Sequence, residues 1–285
     1  EAGRNFCNKL WNATRFVLMN TESYKPGDFE SAELADRWIW SRMQAIVRDV
    51  TGHLEGYRFA DLTRTVYDFV WRDYCDWYLE LAKVRLQGDN QQARLVIQRN
   101  MVAVLDTALR LLHPIMPFIT ETLWQNLTGD VKGESLMIAA WPEPTSDQRD
   151  AESEAQMQRM QEIVTAVRVI RGEMNVPPGK RIELFVSTTS AATAALLGEL
   201  EAYIALLCRA ESMTIGIELE QPTASASTVT GDIEIFVPLA GLIDLDAERQ
   251  RLQKEIDKLM GLLRGLDGKL ANANFVDRAP PEVVE

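Results

Sequence analysis

From Arg4 to Leu127 apolar residues recur at intervals of three and four, in segments parted by short breaks, a pattern that favours helices packed side by side. Phe6, Leu10, Ala13 and Val17 mark one face of a first helix over residues 4–19. The stretch TESYKPGDFESAE interrupts it as a loop. Trp38, Ile39, Met43, Ile46, Val47 and Val50 then carry a second helix over Leu34–Leu54, ending near Gly52 and Gly56. A third is expected from Asp61, as its cap, to Leu86, with QGDN as the turn that follows. A fourth covers Gln91–Leu112 and stops at His113-Pro114, and a shorter one runs from Pro117 to about Leu127. These segments predict an α-helical bundle.

The pattern changes after Trp141-Pro142. Asp147–Glu154 is acidic, Met157–Glu173 reads as one more helix, and NVPPGK breaks it. Alternating runs at Arg181–Val186, Met213–Glu218 and Gly231–Val237, with a helix over Ala191–Cys208 after the first, give a β-α-β-β order. From Asp244 a third pattern begins, in which Leu245, Leu252, Leu259 and Leu266 recur every seven residues with Ile256, Leu263 and Leu270 between them. This is a coiled-coil seam of about four heptads, broken only by Arg249. Beyond NANF, APPEVVE resembles a new helix with proline in its first turn. The chain is therefore expected to be mainly α: a helical bundle over 1–146, a connecting helix and small α+β subdomain over 147–242, and over 243–285 the first helix of a truncated coiled-coil arm. An antiparallel hairpin lacking its second helix is the expected arm, with a homodimeric coiled coil as the alternative.

Composition narrows the chemistry. With 46% hydrophobic and 25% charged residues the chain has the make-up of a globular protein. Apolar stretches such as Val102–Leu105 fall far short of the roughly 20 residues that span a bilayer, and no leader opens the chain, so a cytoplasmic protein without membrane contact is expected. Cys7, Cys75 and Cys208 stand far apart, which suggests free thiols and neither disulfides nor a zinc site. The net charge of −12 argues against a generic nucleic-acid binder. Net charge is only a sum, however. The segment Ala2–Thr21 holds Arg4, Lys9 and Arg15 and no acid at all.

No catalytic constellation emerges. His53 and His113 sit outside any metal or nucleophile pattern, no glycine-rich phosphate loop is present, and the carboxylates scatter over expected solvent faces. In RNFCNKLWNATRF, by contrast, Asn5, Asn8, Lys9 and Asn12 fall at helical spacing opposite Phe6, Leu10 and Val17, and Arg4 and Arg15 extend the stripe. Amides and cations on a rigid surface can hold phosphates and read the edges of unpaired RNA bases. Trp71, Tyr74, Trp77 and Tyr78 also invite a stacking role, but their helical spacing and the neighbouring Asp68, Asp73 and Asp76 assign them to the core.

The segments RNFCNKLWNATRF, DRWIWSRM, YDFVWRDYCDWYLELAK, HPIMPFITETLW and EMNVPPGK resemble, in order, the signature segments of the anticodon-binding region of bacterial valyl-tRNA synthetases. The resemblance spans residues 4–180 and is followed by a coiled-coil arm where that family has one. Isoleucyl enzymes share the bundle but differ in the first helix and commonly end in a cysteine-rich metal module. The resemblance implies valine tRNA as partner, with the bundle on the anticodon stem and loop. It places Arg251, Lys254, Lys258, Arg264 and Lys269 of the arm against the tRNA's outer corner. The family's HIGH and KMSKS signatures have no counterpart here, so a fragment without catalysis or cofactor of its own is expected. ATP and Mg would belong to a catalytic domain of the same polypeptide. A monomer is expected, with association through the unpaired arm as the alternative. The competing reading from another class is a helical adaptor that binds a protein through its coiled coil.

Topology narrows the site independently. In an up-down-up-down bundle the loops after the first and third helices lie at one end. That puts Tyr24 and Lys25 beside Arg85, Leu86 and Gln87, with Tyr24 as a stacking face, Leu86 and Gln87 at base edges and Arg85 on a phosphate.

Overall fold

The structure is a computed structural model that describes residues 1–21, 33–128, 135–144, 149–243 and 245–271; the side chains of Ala2, residues 245–248, Leu252 and Lys269 are also outside the description. The chain divides into two compact units, Glu1–Glu162 and Ile163–Glu285. The division falls inside a helix.

The first unit is helical. Its elements are α1 (Ala2–Asn20), α2 (Leu34–Glu55), α3 (Phe59–Asp68), a π-helical segment (Phe69–Tyr78), α4 (Leu79–Gln87), α5 (Gln91–Leu112), α6 (Pro117–Thr128), a 3-10 turn (Leu136–Ile138) and the start of α7 (Ala151–Glu173). The helices pack by the faces their periodicity marks: Leu10 and Val17 of α1, Ile39 and Val50 of α2, Leu62 and Val66 of α3, and Met101, Leu105 and Leu109 of α5 are all buried.

Two expectations are corrected here. The single helix expected over 61–86 is interrupted for ten residues by the π segment. FVWRDYCDWY crowds five large aromatic side chains into ten residues, and the wider turn lets Tyr74 and Tyr78 both point inward, fully buried. Each finds a partner for its hydroxyl: Tyr74 donates to the Met101 carbonyl at 2.8 Å and Tyr78 to Asp36 Oδ1 at 2.7 Å. The second correction is at α7, which starts at Ala151 and not at Met157. Asp150 caps it, its carboxylate accepting from the Ser153 amide at 2.9 Å and pairing with Arg37 of α2 at 2.8 Å.

The second unit holds the rest of α7, then β1 (Ile182–Thr188), α8 (Ala191–Cys208), β2 (Ala210–Ile217), β3 (Ser225–Thr230), β4 (Ile233–Pro238) and α9 (Leu245–Leu270). The sheet order is β2-β1-β4-β3, with β1 and β2 parallel across the α8 crossover and the other pairs antiparallel. Leu197, Leu200 and Ile204 of α8 are buried together with Ile182, Leu184 and Val186 of β1. The helix is long and apolar enough to cross a membrane by composition, yet here it is the crossover that covers a sheet. β3 extends the expected β-α-β-β order. Its sequence SASTVT is polar and small because it is an edge strand, and it turns into β4 through Gly231, whose φ of +58° suits the two-residue hairpin.

Candidate nucleic-acid interface

The outer face of α1 is assembled by helical geometry alone. Phe6, Leu10, Ala13, Thr14 and Val17 fill the buried arc, so Arg4, Asn5, Asn8, Asn12 and Arg15 must fall on the opposite side, and all five are exposed. From Arg4 to Arg15 the strip is roughly 16 Å long at 1.5 Å per residue. Among the described residues no side chain pairs with any of these five, and no residue of the helix is acidic. The surface offers donors to an anion without an internal competitor.

Lys9 is placed differently. Its ammonium donates to Asp76 Oδ1 at 2.6 Å and stands 5.2 Å from the centre of the Trp71 ring. Trp71 in turn stacks on Tyr67 at 5.5 Å, and Tyr67 lies 4.9 Å from Phe6. This ladder clamps α1 to the π segment, and the nearby carboxylate makes Lys9 an anchor of the face rather than part of its free charge. Trp11 was not singled out from sequence, yet its side chain is 50% exposed. It shares the face because it stands seven residues after Arg4 and four before Arg15, a placement that a helical projection of RNFCNKLWNATRF already contains.

At the end of the bundle where α1 finishes, a buried polar network gathers four helices. Asp36, near the start of α2, accepts from Tyr78 and from Arg85 Nη1 at 2.6 Å, and Arg85 also donates to the Ala93 carbonyl of α5 at 3.3 Å. Gln98 of α5 donates to the Asn20 carbonyl of α1 at 2.6 Å. Burial first, and then the Asp36 carboxylate, push the Tyr78 phenol well above its ordinary range. The expectation that Arg85 meets a phosphate is corrected: the side chain is only 9% exposed and its charge is spent on Asp36, which is 1% exposed. Leu86 beside it is half-buried and Gln87 exposed, so these two remain available at that corner. Tyr24 and Lys25 lie outside the described residues.

In α9, Arg251, Lys254, Lys258 and Arg264 are exposed, Arg251 with Glu255 at 3.2 Å, and the Lys269 side chain is outside the description. The seam residues Ile256, Leu259, Leu263, Leu266 and Leu270 are exposed as well. Among the described residues no three metal-ligating groups come together. A cleft of about 370 Å³ at the sheet is lined by Glu218, Asp232 and Glu234, a charge that repels phosphates.

A family model described as the anticodon-binding domain of tRNA ligase matches residues 36–186, and one described as the valyl tRNA synthetase tRNA binding arm matches residues 244–285. Among similar proteins, the valine–tRNA ligase of Syntrophotalea carbinolica is 42% identical over 286 residues, covering 99% of this chain and 32% of the relative. That of Geobacter sulfurreducens is also 42% identical, over 99% of the chain and 32% of the relative, and that of Listeria innocua 39%, over 100% and 32%. The chain thus spans about a third of the length of these curated relatives, aligning with their C-terminal part.

Proposed function

The chain belongs to the family of anticodon-binding domains of tRNA ligases, and from that premise we propose that it binds the anticodon region of valine tRNA as the non-catalytic C-terminal part of a valine–tRNA ligase. The observation that carries this reading is the outer face of α1, two guanidiniums and three amides set in a rigid row with no carboxylate, on a chain whose net charge is −12. Guanidiniums suit phosphate oxygens, and amides offer donor and acceptor to base edges. Leu86 and Gln87 extend the contact at the end of the bundle, and Arg251, Lys254, Lys258, Arg264 and Lys269 give α9 a cationic flank for the tRNA's outer corner.

In this reading the chain works with the catalytic portion of the same polypeptide, in the cytoplasm and as a monomer. Valine attachment, with ATP and Mg, belongs to that catalytic portion, and this chain supplies no cofactor. A salt-titrated mobility shift with valine tRNA tests the binding. The expected result is a complex whose log affinity falls linearly with log salt concentration. Binding that ignores salt, or a chain that retains no tRNA at 50 mM salt, overturns it. The exposed seam of α9 favours one second reading, a helical adaptor for a protein, which predicts a partner on α9 and no salt-dependent tRNA complex.

A further inference from the structure

We infer that Trp11 is a stacking residue for an unpaired nucleobase of the bound RNA, an inference that rests on the proposed tRNA binding and adds to it a residue and a mode of contact. An indole half in water is costly, and on the same helix Phe6, Leu10 and Val17 are buried while Met19, at its C-terminal end, is the other exposed large apolar residue. The other tryptophans of the bundle are buried or have found partners. Trp40 donates to Asn100 at 3.0 Å, Trp124 to Asp106 at 2.6 Å and Trp141 to Thr51 at 2.8 Å, Trp71 stacks on Tyr67, Trp38 is buried, and Trp77 is engaged too. Trp11 alone of the seven is both exposed and without a partner among the described residues.

Its neighbours select the occupant. Helical spacing puts Arg4, Asn8 and Arg15 on the same side of α1, and none of them is engaged among the described residues. A purely apolar protein surface would leave two guanidiniums facing it desolvated and unpaired. A looped RNA supplies both halves: phosphates for Arg4 and Arg15, and a splayed base with a π-face for the indole. A paired stem supplies only the phosphates, because its bases are already stacked. The combination of an unpartnered indole with cations and no acid therefore points to a single-stranded loop, and stacking leaves the identity of the base to the amides beside it.

The test compares wild type, Trp11→Ala and Trp11→Phe on a valine anticodon stem-loop and on a fully paired duplex of the same stem, by fluorescence anisotropy. Melting curves should be unchanged, since the indole is exposed. Trp11→Ala should raise the stem-loop Kd about 5- to 150-fold, Trp11→Phe should restore part of the loss, and the duplex should bind all three alike. With 2-aminopurine placed in turn at each loop position, one position should be quenched by wild type and released by Trp11→Ala. An unchanged stem-loop Kd for Trp11→Ala at an unchanged melting point overturns the inference and leaves the face to a protein neighbour. An equal loss on the duplex overturns it in favour of a stem contact. Failure of the wild type itself to bind the stem-loop overturns the proposed function, and this inference with it.

Discussion

The Asp36 carboxylate, 1% exposed, is tolerated because both its oxygens are filled, one by the Tyr78 hydroxyl and one by the Arg85 guanidinium. Asp36→Ala leaves that guanidinium buried without its counter-charge and should cost about 3–5 kcal/mol of stability, whereas Tyr78→Phe removes one hydrogen bond and should cost about 1–2 kcal/mol; urea unfolding of both variants checks the ratio. Asp150 gives the complementary case of a charge near the surface. The Arg37 donation, foremost, and the Ser153 amide hold its carboxyl below the ordinary range against some desolvation. A depressed folded value stabilises above the unfolded value of about 3.9 and loses that contribution as pH falls through the folded value. Asp150→Asn should therefore melt slightly below wild type at pH 7, by about 0.5–1 kcal/mol after solvent screening, and the gap should close toward pH 2. On the RNA side, Arg4→Ala and Arg15→Ala should each lower the salt slope by about one phosphate contact without moving the melting point.

Elements differ in what their exposed residues do for stability. α9 shows five seam residues to water, so Leu259→Glu with Leu263→Glu should leave the thermal transitions within about 0.5 kcal/mol of wild type. Leu197→Ala in α8, at 0% exposure under the sheet, should cost about 2–5 kcal/mol, and calorimetry on both variants separates the two cases. The contrast has a simple origin. Both helices carry apolar residues, but only α8 is enclosed between two strands of one crossover. β3 reads poorly from sequence for the opposite reason, since an edge strand pairs with a single neighbour and has little apolar area to announce it. The π segment left no periodic signal either. It changes spacing by one residue per turn over only ten residues, too few to shift a pattern of threes and fours.

Across the whole chain, the three cysteines report on different places. Cys7 is half-buried, Cys75 lies inside the first unit and Cys208 inside the second, and burial pushes both interior thiols up to about 12. At pH 8 a thiol with that value is thiolate in roughly one molecule in ten thousand, so a thiol reagent should titrate Cys7 promptly and the other two only after denaturation.

Most helix positions and three of the four strands were legible in the sequence, because burying one face of an element writes a period of 3.6 or 2 into the chain. The resemblance to the synthetase family was legible for the same local reason, resting on contiguous segments such as RNFCNKLWNATRF. The α1 stripe was visible too, as Arg4, Asn5, Asn8, Asn12 and Arg15. Which of its cations stay free was not. Lys9 and Arg85 look like Arg4 and Arg15 on paper, and only packing brought Asp76 to the first and Asp36 to the second, across 67 and 49 residues of chain. Trp11 is the converse, a residue that composition would send to the core and that the fold left in water. The sequence determines which side chains share a face, since that follows from backbone geometry; the tertiary structure decides which of them meet a partner from elsewhere in the chain, since that depends on contacts no local period encodes.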